Sequence, residues 1–267
     1  MIDETFAAAV RQVRLARDIG EVIAEFERDG YARLGVLAGD AILEPLRRRA
    51  DDLMEGRVVH EGLFFQHDSD TGRYDDLTYG EGYQGPSLRY RKIDKLEKDP
   101  LFLAWLRNPV FESIAKAVVG PDVYLLRAMM MTKPANGGTP LPWHQDAGLF
   151  WGVTRDPKLQ LWTALDDAPN EAGCVEVFPG THHRGLVTKT GGVVPADIAA
   201  RADAESHVVR VPARAGEVIL IHNLMWHRSG VNTTPQTRRG FSVCFVDEET
   251  RCTRKRRAPR QFLRVFD

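Results

Sequence analysis

The texture of the second half of the chain most limits what it can fold into. Short apolar runs at Val123–Lys133, Lys158–Asp166, Cys174–Phe178, His207–Val211, Glu217–His222 and Gly240–Asp247 are divided by PANGG, DDAPNEAG, PARAG and NTTPQTRRG. Runs of this length, bounded by Gly, Pro, Asn and Asp, read as strands joined by turns. None of the gaps carries the regular succession of crossover helices that a parallel sheet requires. The expectation is an antiparallel, two-sheet core of jelly-roll type, a double-stranded β-helix.

The first half differs. Helical periodicity runs through about Glu27, a strand follows at Tyr31–Val36, and a helix starts at Asp40, taken as its cap, and continues to about Glu55. A further helical pattern covers Pro100 to Val119 and stops at Gly120-Pro121. Residues 58–86 show no period and are rich in Gly, Asp and aromatics, which reads as a long, lid-like loop. The fold class is therefore mostly β with flanking helices. A single domain is expected over 1–267, with a mixed helical part at 1–120 and the jelly-roll core at 121–250.

Charge excludes some partners. The 36 Lys and Arg nearly balance 37 Asp and Glu, so no global field recruits nucleic acid or an anionic membrane. The basic stretch RCTRKRRAPR lacks interleaved aromatics for base stacking and reads as a solvated segment. No apolar run reaches the roughly 18 residues of a membrane span. The opening MIDETFAAAVRQVRLARDIGEVIAEF is amphipathic, unlike a signal peptide. Cys174, Cys244 and Cys252 are odd in number and lack CxxC spacing, which fits a reducing, cytoplasmic setting.

The sharpest chemical feature is WHQDAG. On an extended segment His144 and Asp146 point to one face, so an imidazole and a carboxylate can meet one metal ion. His227 in MWHRSGVN supplies a third candidate ligand, although His222 lies only five residues earlier. Two His and one carboxylate with open positions opposite form the facial triad of non-heme Fe(II) oxygenases. Eleven residues after His227 comes Arg238, at the start of GFSVCFV. An Arg entering a β core needs an anionic partner, and a small-molecule carboxylate provides one in bidentate fashion. Arg239 competes for that role if the strand register slips by one. Ser229 shares strand parity with His227 and can reach the same carboxylate. His182 and His183, after FPGT, and Glu176 fit outer or solvent-facing positions.

The stretches LPWHQDAG, LWTALDDAPNEAGCVEVFPGTHHRG and AGEVILIHNLMWHRSGVNTTPQTRRGFSV, with FERDGYARLGVL near the start, resemble the phytanoyl-CoA dioxygenase family of Fe(II)/2-oxoglutarate hydroxylases. The resemblance spans most of Tyr31–Val246. It implies that His144, Asp146 and His227 bind Fe(II) and that Arg238 binds the distal carboxylate of 2-oxoglutarate. It places Gln145, Ser229, Trp162, Met129 and Lys92 on the cosubstrate. Core packing is the alternative for Trp162 and Met129, and an exposed strand charge for Lys92. The implied reaction consumes O2 and hydroxylates an unactivated C–H bond of a small molecule, releasing succinate and CO2. Related halogenases carry a small residue where Asp146 stands, so the carboxylate favours hydroxylation. A cupin-type metal enzyme without 2-oxoglutarate and a non-catalytic homologue are the competing readings. Substrate selection is expected from the loop around Gly62–Gly85, with Phe64, Phe65, Tyr74 and Tyr79 as cover and His67 or Arg73 as polar contacts. His182–Arg184 is expected at the opposite rim.

Overall fold

The computed structural model describes residues 2–80, 82–255 and 260–266. Five helices come first: α1 (Glu4–Arg11), α2 (Ile19–Asp29), α3 (Asp40–Met54), α4 (Pro100–Leu106) and α5 (Pro109–Val119). Two of the expected helices are broken. Asp18 caps α2 by accepting from Glu21 N, so the first helical stretch splits in two. Asn108 precedes a proline, which disfavours helical geometry there, and its side chain instead caps α5 at Val110 N and Phe111 N. Asp40 is the first helical residue of α3 rather than its cap, a place held by Gly39.

The strands of the first half are β1 (Tyr31–Val36), β2 (Phe64–His67) and β3 (Tyr90–Asp94). Those of the second half are β4 (Val123–Lys133), β5 (Leu141–Gln145), β6 (Leu159–Ala164), β7 (Val175–Phe178), β8 (Gly192–Val193), β9 (Val209–Val211), β10 (Glu217–His222), β11 (Trp226–Ser229), β12 (Arg238–Asp247) and β13 (Leu263–Arg264). A short helix α6 (Ala196–Arg201) lies between β8 and β9.

The strands form two antiparallel sheets. The larger runs β1-β10-β6-β12-β4-β3-β2 with β13 against β4, and the smaller runs β8-β5-β11-β7-β9. This is the two-sheet, helix-flanked β architecture expected. The bounds of β1, β4 and β10 match the reading from sequence. The loop at 58–86 does not remain a loop throughout: Phe64–His67 joins the large sheet against β3, with Phe65 opposite Ile93. Neither β2 nor β3 alternates cleanly enough to show a period of two.

Alternation divides the large sheet into two chemistries. Leu159, Leu161, Val218, Leu220, Phe241, Val243 and Phe245 point outward into one core with α1–α5. That packing is keyed by Trp105, whose indole donates to Thr163 Oγ1 at 3.1 Å. Ile219, Ile221, Trp162 and Ala164 point inward and meet Val175, Val177 and Met225 in a second core between the sheets. Beyond this inner cluster the space between the sheets opens into a cavity of about 1660 Å³, above the roughly 300–1,000 Å³ of ordinary ligand pockets.

Candidate active site

His144 on β5 and His227 on β11 are directly paired across the small sheet. Their ring centroids are 4.0 Å apart. Each ring is held from behind: His144 Nδ1 lies 2.9 Å from Pro142 O, and His227 Nδ1 lies 2.9 Å from Met225 O. A carbonyl only accepts, so both Nδ1 atoms carry the proton and both Nε2 atoms present lone pairs. Asp146 follows β5 by one residue. Its Oδ1 is 3.9 Å from His144 Nε2 and its Oδ2 is 3.5 Å from His227 Nε2. The donor atoms of all three lie within 4.8 Å of one another. That spacing is too long for good hydrogen bonds and suits three ligands of one ion.

The electrostatics fit a metal. Burial, aided by neighbouring His227, pushes His144 down to about 4, so its imidazole is neutral near pH 7. Burial alone would raise the Asp146 carboxyl. The approach of His227, with His144 and Arg127, outweighs that and holds the group well below the usual carboxylate range. Asp146 is fixed through its backbone, donating to Asn223 O at 2.8 Å and accepting from Asn223 Nδ2 at 2.9 Å. Gly191 closes in on the next peptide: a Cβ there would stand 1.6 Å from Ala147 O, and its φ of +69° also favours glycine.

Arg238 opens β12 on the inner face and is 3% exposed. Its guanidinium donates only to main-chain carbonyls, to Ala172 O at 3.5 Å and to Gly173 O. No carboxylate of the described residues pairs with it, and burial lowers it to about 10. Beside it in register stands Lys133, donating to Thr139 O at 2.9 Å and pushed down to about 6 by burial and by Arg238. A buried guanidinium bonded only to carbonyls, beside an amine that burial and Arg238 hold largely unprotonated, makes an anion-binding end to the cavity. Arg239 faces outward to Asp166 and Asp51, which resolves the register in favour of Arg238.

Trp162, Met129, Ser229, Lys92 and Gln145 all line the cavity. Trp162 lies over Gly240, where a Cβ would meet its ring at 2.4 Å, and Arg238 sits 5.7 Å from the ring centroid. Lys92 is not an exposed charge: burial, with Arg127 nearby, lowers it to about 8. Gln145 is braced by backbone, donating to Gly185 O and Leu224 O and accepting from Val187 N at 2.8 Å.

Other candidates lie elsewhere. His222 stacks on Phe26 at 5.6 Å and sits 4.9 Å from His182, away from the triad. His182 and His183 contact Glu27 O and Arg28 O on α2, and Arg184 lies over Phe178, so this turn packs on a helix instead of rimming the cavity. Phe65 and His67 pack on Tyr90, and of the aromatics proposed as cover Phe64, Tyr74 and Tyr79 reach the cavity. Glu176 is an outer-face partner of Arg228 and Arg210. Sequence reasoning missed Lys133, Asn223 and the Arg127–Asp94 pair (3.7 Å). Arg127, Met129, Met131 and Lys133 alternate along β4, a period-two signal that points all four inward.

Comparison with known proteins agrees with this geometry. The family model for phytanoyl-CoA dioxygenase matches residues 26–240. This chain belongs to the phytanoyl-CoA dioxygenase family. Among the family's curated members, phytanoyl-CoA dioxygenase domain-containing protein 1 of Danio rerio is 26% identical, over 85% of this chain and 89% of its own. L-proline trans-4-hydroxylase of Streptomyces griseoviridis is 30% identical over 50% of this chain and 58% of its own. Two solved structures share the fold at 20% identity and a TM-score of 0.68. They are the epimerase SnoN with Fe3+, alpha ketoglutarate and nogalamycin RO (88% of this chain, 86% of that one) and EctD from S. alaskensis (89% and 81%). The chain is accordingly a dioxygenase of the iron- and 2-oxoglutarate-dependent class.

Proposed function

We propose that this enzyme hydroxylates an unactivated C–H bond of a small organic molecule, with Fe(II) held by His144, Asp146 and His227. The observation that carries the reading is the His–carboxylate–His set lining a large cavity that also exposes Arg238 without an acidic partner among the described residues. The bare Nε2 atoms and the ionised carboxylate are the donor set such an ion takes, and the remaining positions face open space. Iron with 2-oxoglutarate and O2 supplies the oxidising chemistry when bound. Arg238, with Trp162 beneath it, would hold the distal carboxylate of 2-oxoglutarate. Ser229, Met129, Lys92 and Gln145 would flank the cosubstrate, Gln145 braced by the Val187 and Leu224 backbones.

The chain's other contribution is exclusion of water. The segment after β2 brings Tyr74, Leu77 and Tyr79 to the cavity mouth, and we assign residues 68–80 to a cover that closes over substrate. The whole chain would then act as one catalytic unit. A cupin-type reaction without 2-oxoglutarate would give Arg238 no anion. Three free cysteines support a reducing compartment such as the cytoplasm, and no helix among the described residues is long and apolar enough to cross a membrane.

The test is turnover of a metabolite panel by purified enzyme with Fe(II), 2-oxoglutarate and isotopically labelled O2. Substrate-dependent succinate release, matched by a product that gains one labelled oxygen atom, is the expected result. Oxidation that proceeds equally without 2-oxoglutarate would overturn the reading.

A further inference from the structure

The charge lining the cavity is far from the balance of the chain. Among the described lining residues eleven are Lys or Arg and four are Asp or Glu, in a protein whose formal net charge is −1. The catalytic group does not absorb this excess. Ferrous iron and a 2-oxoglutarate dianion cancel, as do Asp146 and Arg238. Acids outside the lining meet part of the excess, Glu176 and Glu205 pairing with Arg228 and Asp68 lying 3.9 Å from Arg91, and the remainder belongs to the rest of the cavity.

Its strongest members meet at one turn. Arg127 projects from β4 on the same face as Met129, and its guanidinium lies 4.1 Å from the ring centroid of Trp151. Its nearest acid, Asp94, is 3.7 Å from Nε, and Asp94 Oδ1 already accepts from Lys95 N at 2.8 Å. At the same turn, Arg254 packs on Gly152 and donates to Phe150 O at 2.8 Å. No acid of the described residues pairs with Arg254. Arg254 and Lys255 come from the basic stretch near the end of the chain, whose residues 256–259 lie outside the described ones. Its described residues Arg254, Lys255 and Arg260 are exposed and border the cavity. Trp151 and Val153 also line the cavity and add apolar surface to it.

We propose that the substrate is an organic acid, its anionic group bound by Arg127 and Arg254 at the Leu149–Gly152 turn and its hydrocarbon part directed inward to the metal centre. This inference rests on the dioxygenase reading of the site for the direction of the hydrocarbon, but the preference for anions stands on the two arginines alone. An arginine stacked on an aromatic ring is pre-organised, and a partly dry pocket strengthens its pairing with a carboxylate or phosphate oxygen. A neutral or cationic molecule of the same shape leaves Arg254 without an acid and Arg127 with only the Asp94 contact at 3.7 Å, and is disfavoured.

The test uses two fluorescent probes with one skeleton, 8-anilinonaphthalene-1-sulfonate and neutral N-phenyl-1-naphthylamine. Both are titrated anaerobically into full-length enzyme loaded with Fe(II) and saturating 2-oxoglutarate. The sulfonate should bind at least about tenfold more tightly than the amine. Arg127→Gln and Arg254→Gln should each weaken the sulfonate by about tenfold and leave the amine unchanged, and Arg127→Lys should recover most of the loss. Arg254 is at the mouth, so its variant tests the idea even if Arg127→Gln fails to fold. Displacement of the sulfonate by decanoate identifies a carboxylate, and displacement by decyl phosphate identifies a phosphate. Equal binding of the two probes to the native enzyme, no effect of either Gln variant, or displacement by decanamide as readily as by the acids overturns the proposal. The metal–2-oxoglutarate absorption read in the same samples reports separately on the dioxygenase site.

Discussion

Replacing Arg238 by Met tests the cosubstrate assignment most directly. The side chain is 3% exposed and bonded only to the carbonyls of Ala172 and Gly173. A carboxylate bound there forms a buried, bidentate pair. Breaking such a pair by removing one member costs about 3–5 kcal/mol. At about 1.4 kcal/mol per factor of ten, that is two to three and a half decades in 2-oxoglutarate affinity. Lys133, adjacent in register and held down in part by Arg238, can take up a proton once Arg238 is gone, which places the expectation near the lower end. Calorimetric titration of the Fe(II)-loaded protein with 2-oxoglutarate under nitrogen reads the affinity directly. Iron binding should survive, because Arg238 is not among the three clustered donors. Arg239→Met is the internal control: it loses Asp166 and Asp51 on the outer face and should lower the melting temperature without changing 2-oxoglutarate affinity. Affinity within a factor of about three of native in Arg238→Met, or a larger loss in Arg239→Met, would refute the reasoning.

His144→Ala and His227→Ala should each abolish stoichiometric Fe(II) binding and turnover together, whereas His222→Ala should retain both; metal analysis after desalting decides. Asp99→Ala should destabilise the fold by about 3–5 kcal/mol, measured by urea unfolding. Asp99 is fully buried, pairs with Arg49 at 2.6 Å and His60 at 2.8 Å, and caps α4 at Leu101 N. Retention of native stability would show that the pair contributes nothing. His222 is pushed down to about 4, first by burial and then by His182 and Lys158. The unfolded chain therefore binds a proton that the folded one refuses between about 6.5 and 4. This stability is fully present above about pH 6.5 and is lost as pH falls toward 4, on the order of 3 kcal/mol in all. His222→Gln should flatten the decline, and an unchanged slope would assign the acid sensitivity to other groups.

Much of the fold was legible because the outward faces of the long strands carry a clean signal. In Val123–Lys133 and Glu217–His222 the residues turned to the helices, among them Leu125, Ala128, Met130, Val218 and Leu220, are all apolar. Two of the strands that escaped notice, β5 and β11, carry the chemistry. In β5 and β11 the inward positions hold His144, His227 and Ser229, so the residues that make the site erase the hydrophobic alternation that would mark a strand. A β-bulge in β5 between Leu141 and His144 further disturbs the alternation there.

The site itself was legible where residue type and spacing constrain one another. H-x-D on an extended segment fixes a shared face, and Arg238 against Arg239 could be framed as a single question of register. What the spacing could not carry was partnership across long sequence distances. Asn223 holds Asp146 from 77 residues away. Arg127 and Arg254 come from the chain's middle and near its end to the turn that holds Trp151, and nothing in either local sequence links them. His182 shows the converse: its place after FPGT pointed to the cavity rim, but a bond to Glu27 O draws it onto α2. A jelly roll brings inward positions of distant strands to one cavity, so the metal triad can be read from local spacing while the substrate wall requires the sheets to be closed. Substrate preference is thus the property least visible in the sequence, even though its residues stand beside the most visible ones.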